Sequence, residues 1–449
     1  VAETLRKHYL SVWLFALYFV YPIPHTIAVR NLLLIVGLAA CVFLIVRDGS
    51  ARAAWQALRL FRVSGAILLT LSLWLLVQSS FISPYPGEAL NHLRGDWVNE
   101  LLVALTGACA VLAGRRAGVR RVLTVITVAL SAHIVLLLAY QICLWIGSGS
   151  YPFGQTPFGQ KDYHSTLVTA LIALLLADLS SRLITDRTVL AMSWRLKLLL
   201  LLLSLITTAT LMARNAVVIT AVMMLLTTGI FLFFGRYRLG AWTKPLIAAL
   251  LIVASIAVTW IGLRSDERWA GFNEAASVAF DTQNNLAWLD PEKYGLPRMK
   301  SGQPVEESAY LRLAWAKVAI EQIQRYPLGL GYGHKAFGWA VNRSYQVHTG
   351  IESSHSGLLD FTLANGIPGV LLWIALSAAL IVSGWRAFRD QQSPMGLLLV
   401  FTVLAYFVRC IVDGHLSGFR LEMYALLLGA LLMAQSLALS TSSNASHTD

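Results

Sequence analysis

Runs of about twenty apolar residues, parted by short charged or Pro/Gly-containing breaks, recur along this chain of 449 residues. A helix rises about 1.5 Å per residue, so each run matches the roughly 30 Å hydrocarbon core of a bilayer. Hydrophobic residues make up 57% of the chain and charged residues 13%, with a mean hydropathy of +0.64, which is too apolar for a soluble domain of ordinary composition. The expected fold is therefore all-α: a polytopic membrane protein with about twelve transmembrane helices and one long, partly helical extracytoplasmic segment. The expected spans are 9–22, 29–46, 63–82, 97–113, 122–146, 164–181, 196–213, 216–234, 245–263, 356–383, 396–412 and 419–438. Only Ala213-Arg214-Asn215 separates the seventh from the eighth. A single helix over 196–234 would be nearly twice the membrane thickness, so the chain must reverse near Arg214, with Asn215 suited to the left-handed conformation of such a turn.

The net charge of +12 is not a nucleic-acid footprint, because the basic residues cluster in every second loop. Arg47, Arg52, Arg59 and Arg62 follow the second span, Arg115, Arg116, Arg120 and Arg121 the fourth, and Arg182, Arg187, Arg195 and Lys197 the sixth. Short loops rich in Lys and Arg stay cytoplasmic, which sets both termini inside and the polar segment 264–354 outside. The first run lacks a small-residue cleavage site and is read as a retained helix. Residues 50–62 carry an amphipathic pattern that predicts an interfacial helix, and the polar tail 440–449 is expected to be disordered. The divisions that follow are 1–263 as spans one to nine, 264–354 as the large external segment, 355–438 as the last three spans and 439–449 as a cytoplasmic tail.

Within the external segment, 308–326 holds neither Gly nor Pro, and Ser308 is a candidate N-cap. A helix of about five turns is expected there, stopped by Pro327. The Gly329-X-Gly331-X-Gly333 run follows a helix rather than a strand, so it reads as a tight turn and not a dinucleotide fingerprint. Arg214, Arg312 and His355 all fall at the external membrane boundary. Singly, each has a plain structural explanation: a snorkelling arginine, a solvated charge and a capping histidine. Lys161 and His164 stand at the start of the sixth span, where free backbone N–H groups suit an anion, although an ordinary loop explains them as well.

Taken together, the order Arg312, Trp315, Pro327-Leu328-Gly329-X-Gly331-X-Gly333, His355 and Asn365-Gly366 resembles the signature segment of the O-antigen ligase family, which O-antigen polymerases and related oligosaccharyltransferases share. Arg214, between two adjacent spans, is similar to that family's arginine at the outer end of a helical hairpin. The chain departs from the family in having Ser356 after the histidine, where Asn is frequent, and Ala213-Arg214-Asn215 in place of Ser-Arg-Gly-like text.

The resemblance implies a glycosyltransferase of the bacterial inner membrane, active on its periplasmic side in lipopolysaccharide biosynthesis. Its donor would be a glycan on undecaprenyl pyrophosphate, its acceptor a sugar hydroxyl of lipid A-core, and membrane lipids would surround it. Guanidinium groups suit a pyrophosphate leaving group, which makes Arg214 and Arg312 the expected binders, with Arg264, Arg268, Lys161 and His164 as secondary candidates. An imidazole with an ordinary pKa near about 6.5 can take the proton of an attacking hydroxyl, which makes His355 the expected base. No cofactor is expected, and no metal: His334, His348 and His355 are the clustered histidines, and their spacing fits no common zinc pattern. O-antigen polymerase is the nearest alternative, and a lipid-linked glycan transporter is the alternative of another class.

Overall fold

The structure, a computed structural model, describes residues 2–50, 55, 59–158, 160–234, 243–265, 272–299, 302–413, 416 and 418–445. Among these the fold is helical, with no strand and a single isolated bridge between Arg298 and Pro304. Nine helices among the described residues are long and apolar enough to cross a membrane. Helices also fill the other three expected places, as the shorter apolar stretches His8–Val20 and Pro245–Ile261 and as Trp194–Thr210. The chain is an all-α, polytopic membrane protein.

Close approach of backbones holds the bundle where small residues allow it. Helix Val98–Ala113 lies against Gly418–Ala445 so tightly that a Cβ on Gly107 would sit 2.0 Å from the Leu426 carbonyl oxygen, and one on Gly429 would sit 1.9 Å from that of Ala104. Between apolar helices in lipid, such van der Waals contact supplies the attraction that water would otherwise provide. At the opposite end of the bundle from the 272–354 segment, Asp178 and Lys197 form a fully buried pair. Asp178 also accepts from the backbone N–H of Leu190 (3.1 Å) and the hydroxyl of Thr188 (2.7 Å), so its charge is neutralised and its lone pairs are used.

Helix Gly357–Gln391 is broken at Gly366, whose φ of 74° and ψ of 175° are not helical. The 327–331 turn docks into this break. Leu330 and Gly331 donate backbone N–H groups to the carbonyls of Leu363 and Ala364 (both 2.8 Å), and Ile367 donates to the carbonyl of Pro327 (2.8 Å). Trp74 donates its indole N–H to the Asn365 carbonyl (2.7 Å), and Ser83 donates to the Leu330 carbonyl (2.5 Å). The polar groups freed by the break are thus satisfied inside the protein, as apolar surroundings require. The glycine run is a turn, as expected, but its glycines are set by contact with the broken helix. A Cβ on Gly329 (φ 84°) would lie 2.5 Å from the Ala364 oxygen, and one on Gly366 would lie 2.5 Å from the Leu328 carbonyl carbon.

Residues 272–345 have an apolar core of their own, built on Trp288, Tyr310, Val318 and Phe337, and it extends to Leu363 and Ala364 of the broken helix. The segment is thereby fused to the membrane bundle.

Several local expectations are corrected. The reversal before Arg214 uses Met212, at φ 50°, and not Asn215, which lies inside helix Arg214–Phe234. The external helix runs Glu307–Arg325 with Glu306 as its cap, in place of Ser308, because the Glu306 carboxylate reaches the N–H of Ala309 (2.6 Å). The last helix continues to Ala445, past the expected start of a disordered tail at 440, while 446–449 lie outside the described residues. Most of the expected interfacial helix over 50–62 also lies outside them.

Two stability outcomes follow. Gly366→Ala forces a side chain into a left-handed conformation and into Leu328, which is expected to destabilise by about 1–3 kcal/mol, read as a lowered Tm of the detergent-solubilised protein. Lys197→Met leaves a buried carboxylate unpaired, an effect of about 3–5 kcal/mol, and adding Asp178→Leu should recover much of the lost Tm.

Candidate active site

Helix Glu307–Arg325 organises the site. Its sequence has neither Gly nor Pro, its first turn is capped by Glu306, and Pro327 follows its end. Ala309, Tyr310, Ala314, Val318 and Ala319 form its buried face in the segment's own core. Arg312 and Trp315 are one turn apart on its outer side and therefore neighbours. The Trp315 indole N–H donates to the carbonyl of the buried Trp288 (2.9 Å), which fixes the ring.

His355 stacks on that ring, with centroids 5.3 Å apart and planes 17° from parallel. Its backbone has φ 59°, a left-handed conformation uncommon outside glycine and held here from both sides. Ahead of it, Ser354 donates its backbone N–H to the Asp360 carboxylate (2.8 Å). Behind it, Ser356 donates its hydroxyl to the Ile411 carbonyl (2.8 Å), and the Gly357 N–H donates to the Asp413 carbonyl (2.9 Å). Helix capping does not account for His355: Ser356 occupies the N-cap position of the following helix.

Arg214 opens helix Arg214–Phe234 and pairs with Glu306 at 3.4 Å, its side chain only 10% exposed. Because Glu306 also caps the Arg312 helix, one carboxylate ties the hairpin arginine to the helix that carries Arg312 and Trp315. Arg312 is exposed and has no hydrogen-bond or ion-pair partner among the described residues. The structure therefore gathers all three expected residues around one helix, with different freedom: Arg312 is open to an anion, whereas Arg214 is engaged by Glu306.

Below them lies a polar floor. Asp413, at the end of helix Pro394–Val412, accepts from the side-chain amide of Asn215 and from Arg409 (3.3 Å). Arg409 is fully buried and also donates to Ser165 (2.6 Å) and Thr169 (3.3 Å), and Ser165 donates in turn to Asn215 (3.3 Å). Three membrane helices are thus cross-linked next to the Arg214 turn. Sequence reading passed over Asp413 as part of a short loop. The available signal was the Arg409/Asp413 pair, charges four residues apart at the end of an otherwise apolar helix.

Protein crowds the ring of His355 although solvent reaches it, and this desolvation lowers its pKa below the ordinary histidine value, with the Arg312 charge acting in the same direction. Asp413 and Asp162 oppose that shift. An imidazole kept neutral at pH 7 is able to accept a proton.

The secondary candidates fare unevenly. Lys161 and His164 do begin helix Lys161–Thr185, but His164 is buried between Phe158, whose ring stacks on it at 5.9 Å, and His133, edge-on at 6.2 Å. Asp162, which stands with Lys161 and His164 in the sequence at the start of this helix but is not among the expected site residues, carries a charge that raises the His355 pKa. Arg268 and the side chain of Arg264 lie outside the described residues. Nor do His334, His348 and His355 form one cluster, since His334 meets His92 and Asp96 instead.

Residues 189–374 match the O-antigen ligase family model, a stretch that contains Arg214, Glu306, Arg312, Trp315, the glycine run, His355 and Gly366 but neither Asp162 nor Asp413. Comparison with curated proteins gave no match. The segment whose residue order resembles that family is the one that gathers the site, and it is over residues 189–374 that the chain is similar to the O-antigen ligase family.

Proposed function

We propose that this protein is an O-antigen ligase: a glycosyltransferase that moves a glycan from undecaprenyl pyrophosphate to a sugar hydroxyl of lipid A-core, on the periplasmic side of the inner membrane. The family match supports an enzyme of the O-antigen ligase or polymerase type acting on lipid-linked glycan. The observation that carries the finer reading is that one capped helix bears an open guanidinium, Arg312, and the indole of Trp315 on which the imidazole of His355 stacks.

In this reading the acceptor hydroxyl gives its proton to a ring nitrogen of His355 as its oxygen attacks the anomeric carbon. The bond from that carbon to the donor phosphate breaks, undecaprenyl pyrophosphate leaves, and the anomeric centre inverts in a single displacement. Arg312 neutralises the charge that grows on the leaving pyrophosphate. Arg214 joins it when the incoming anion competes with Glu306, and otherwise holds the helix in register. No metal is needed for these steps, because the pyrophosphate is already an activated leaving group. In this reading the described residues of the 264–354 segment form the wall over the site. An apolar cavity of about 380 Å³ between helices Arg62–Val77, Val98–Ala113, Gly357–Gln391 and Gly418–Ala445 suits part of an isoprenoid chain. It is lined by Gly65, Trp97, Trp373 and Leu428, among others.

Purified protein supplied with lipid-linked glycan and lipid A-core should attach glycan to the core, and donor alone should give no longer glycan. Elongation of donor alone would identify a polymerase, and movement of labelled lipid across vesicles without transfer would identify a transporter. His355→Ala should lower transfer by about 10²- to 10⁴-fold while the protein stays folded and inserted, and near-normal attachment would remove His355 as the base.

The neutral imidazole is the active form, so the acid limb of the kcat/KM profile follows the His355 pKa. Arg312→Gln removes a charge that lowers this pKa, and the limb should move to higher pH. Asp413→Asn removes a charge that raises it, and the limb should move to lower pH. Opposite displacements in a pH–rate series would tie the limb to His355.

A further inference from the structure

Away from Arg214, Arg312 and His355, the same face of the bundle carries a second cluster. His92 ends helix Pro86–His92, Asp96 lies in the π-helical turn Leu93–Trp97 that follows, and His334 comes from the end of the glycine run. One ligand atom from each lies within 4.8 Å of the other two. We propose that His92, Asp96 and His334 bind a divalent cation of the zinc class, which fastens the glycine run to the head of helix Val98–Ala113.

Five observations converge on the site. The His92 Nδ1 to Asp96 Oδ2 distance is 3.3 Å, which is about the edge of a tetrahedron whose centre-to-ligand bonds are about 2.0–2.1 Å. His92 and His334 meet edge-on, with centroids 4.7 Å apart, and the exposed His334 needs only a small side-chain movement to complete the set. The backbone is shaped around this meeting, since a Cβ on Gly333 would stand 3.0 Å from Cδ2 of His92. The π-turn between His92 and Asp96 is itself a departure from α-geometry of a kind often found at functional sites. Trp339 lies 6.5 Å from the His92 ring and Tyr85 lies 5.0 Å from Trp339, so an aromatic wall backs the cluster.

Two imidazoles and one carboxylate suit zinc better than calcium or magnesium, which prefer sets made wholly of oxygen. Asp96 and His334 also line a small cavity with Ser353, Gly357 and Asp360, so a fourth position is left for water or an oxygen ligand. Ser353 and Gly357 lie on either side of His355 in the chain. A cation here would stiffen one wall of the cavity beside the proposed base without touching the reacting atoms. The site does not depend on which glycan reaction the protein performs.

The test is zinc binding by the full-length protein in detergent, after dialysis against chelator, followed by calorimetry, metal analysis and Tm. Wild type should take up one zinc per chain with a Tm raised by a few degrees. His334→Ala, at an exposed position, and Asp96→Asn should each weaken binding by roughly tenfold or more and abolish the Tm rise. His348→Ala, at an exposed histidine outside the cluster, should behave as wild type. Absence of zinc uptake by folded wild type, or equal uptake by His334→Ala (an adventitious ion only), would overturn the proposal.

Discussion

In lipid, a broken helix must find partners for the backbone groups it frees, and the break at Gly366 finds them in the 327–331 turn. Those three backbone hydrogen bonds join the polar segment to the membrane bundle where both sequences run short of side chains. Gly329 and Gly366 are needed there because each backbone lies where the other's Cβ would go. Helix Glu307–Arg325 ends just before this joint, and His355 lies just before the broken helix that receives it. Anchoring the joint therefore sets where Trp315 and His355 meet.

Charge is treated differently at the two ends of the bundle. Asp178 and Lys197 are fully buried and satisfied by each other, Thr188 and backbone N–H groups of the following loop, which gives a closed structural pair. Near the site most charges are paired but one is left open among the described residues. Asp413 shares itself between Asn215 and Arg409, Arg214 leans on Glu306, and Arg312 has no partner among the described residues. His355 sits in the resulting field, with the desolvation imposed by crowding protein and the Arg312 charge favouring its neutral form and Asp413 and Asp162 opposing them. An arrangement that keeps one guanidinium uncommitted beside a neutral imidazole is suited to receiving an anion and a proton at different points.

The site also carries backbone strain of its own. The left-handed backbone of His355 is maintained by anchors on Ser354, Ser356 and Gly357 that reach Asp360, Ile411 and Asp413. Such a conformation costs on the order of 1–3 kcal/mol and persists only when its surroundings over-determine it. Here they aim the ring at Trp315.

The helices were legible in the chain itself, because a run of apolar residues long enough for a bilayer has few other structures open to it. Some of their ends were not: Glu306 caps Glu307–Arg325, and the last helix runs on to Ala445. Arg312, Trp315, the glycine run and His355 were legible as an ordered set, and the family match covers them. Their contacts were not. Glu306 as both cap and clamp for Arg214, Met212 as the turn residue, and the meeting of His92 with His334 rather than of His334 with His355 depend on pairings far apart in sequence. Apolar periodicity is a local property that each helix satisfies alone, so the sequence by itself determined the spans and the residue types at the boundary. Which charges are neutralised, which remain open and which backbone tolerates a break are decided by neighbours from other helices, and only the tertiary structure determined those.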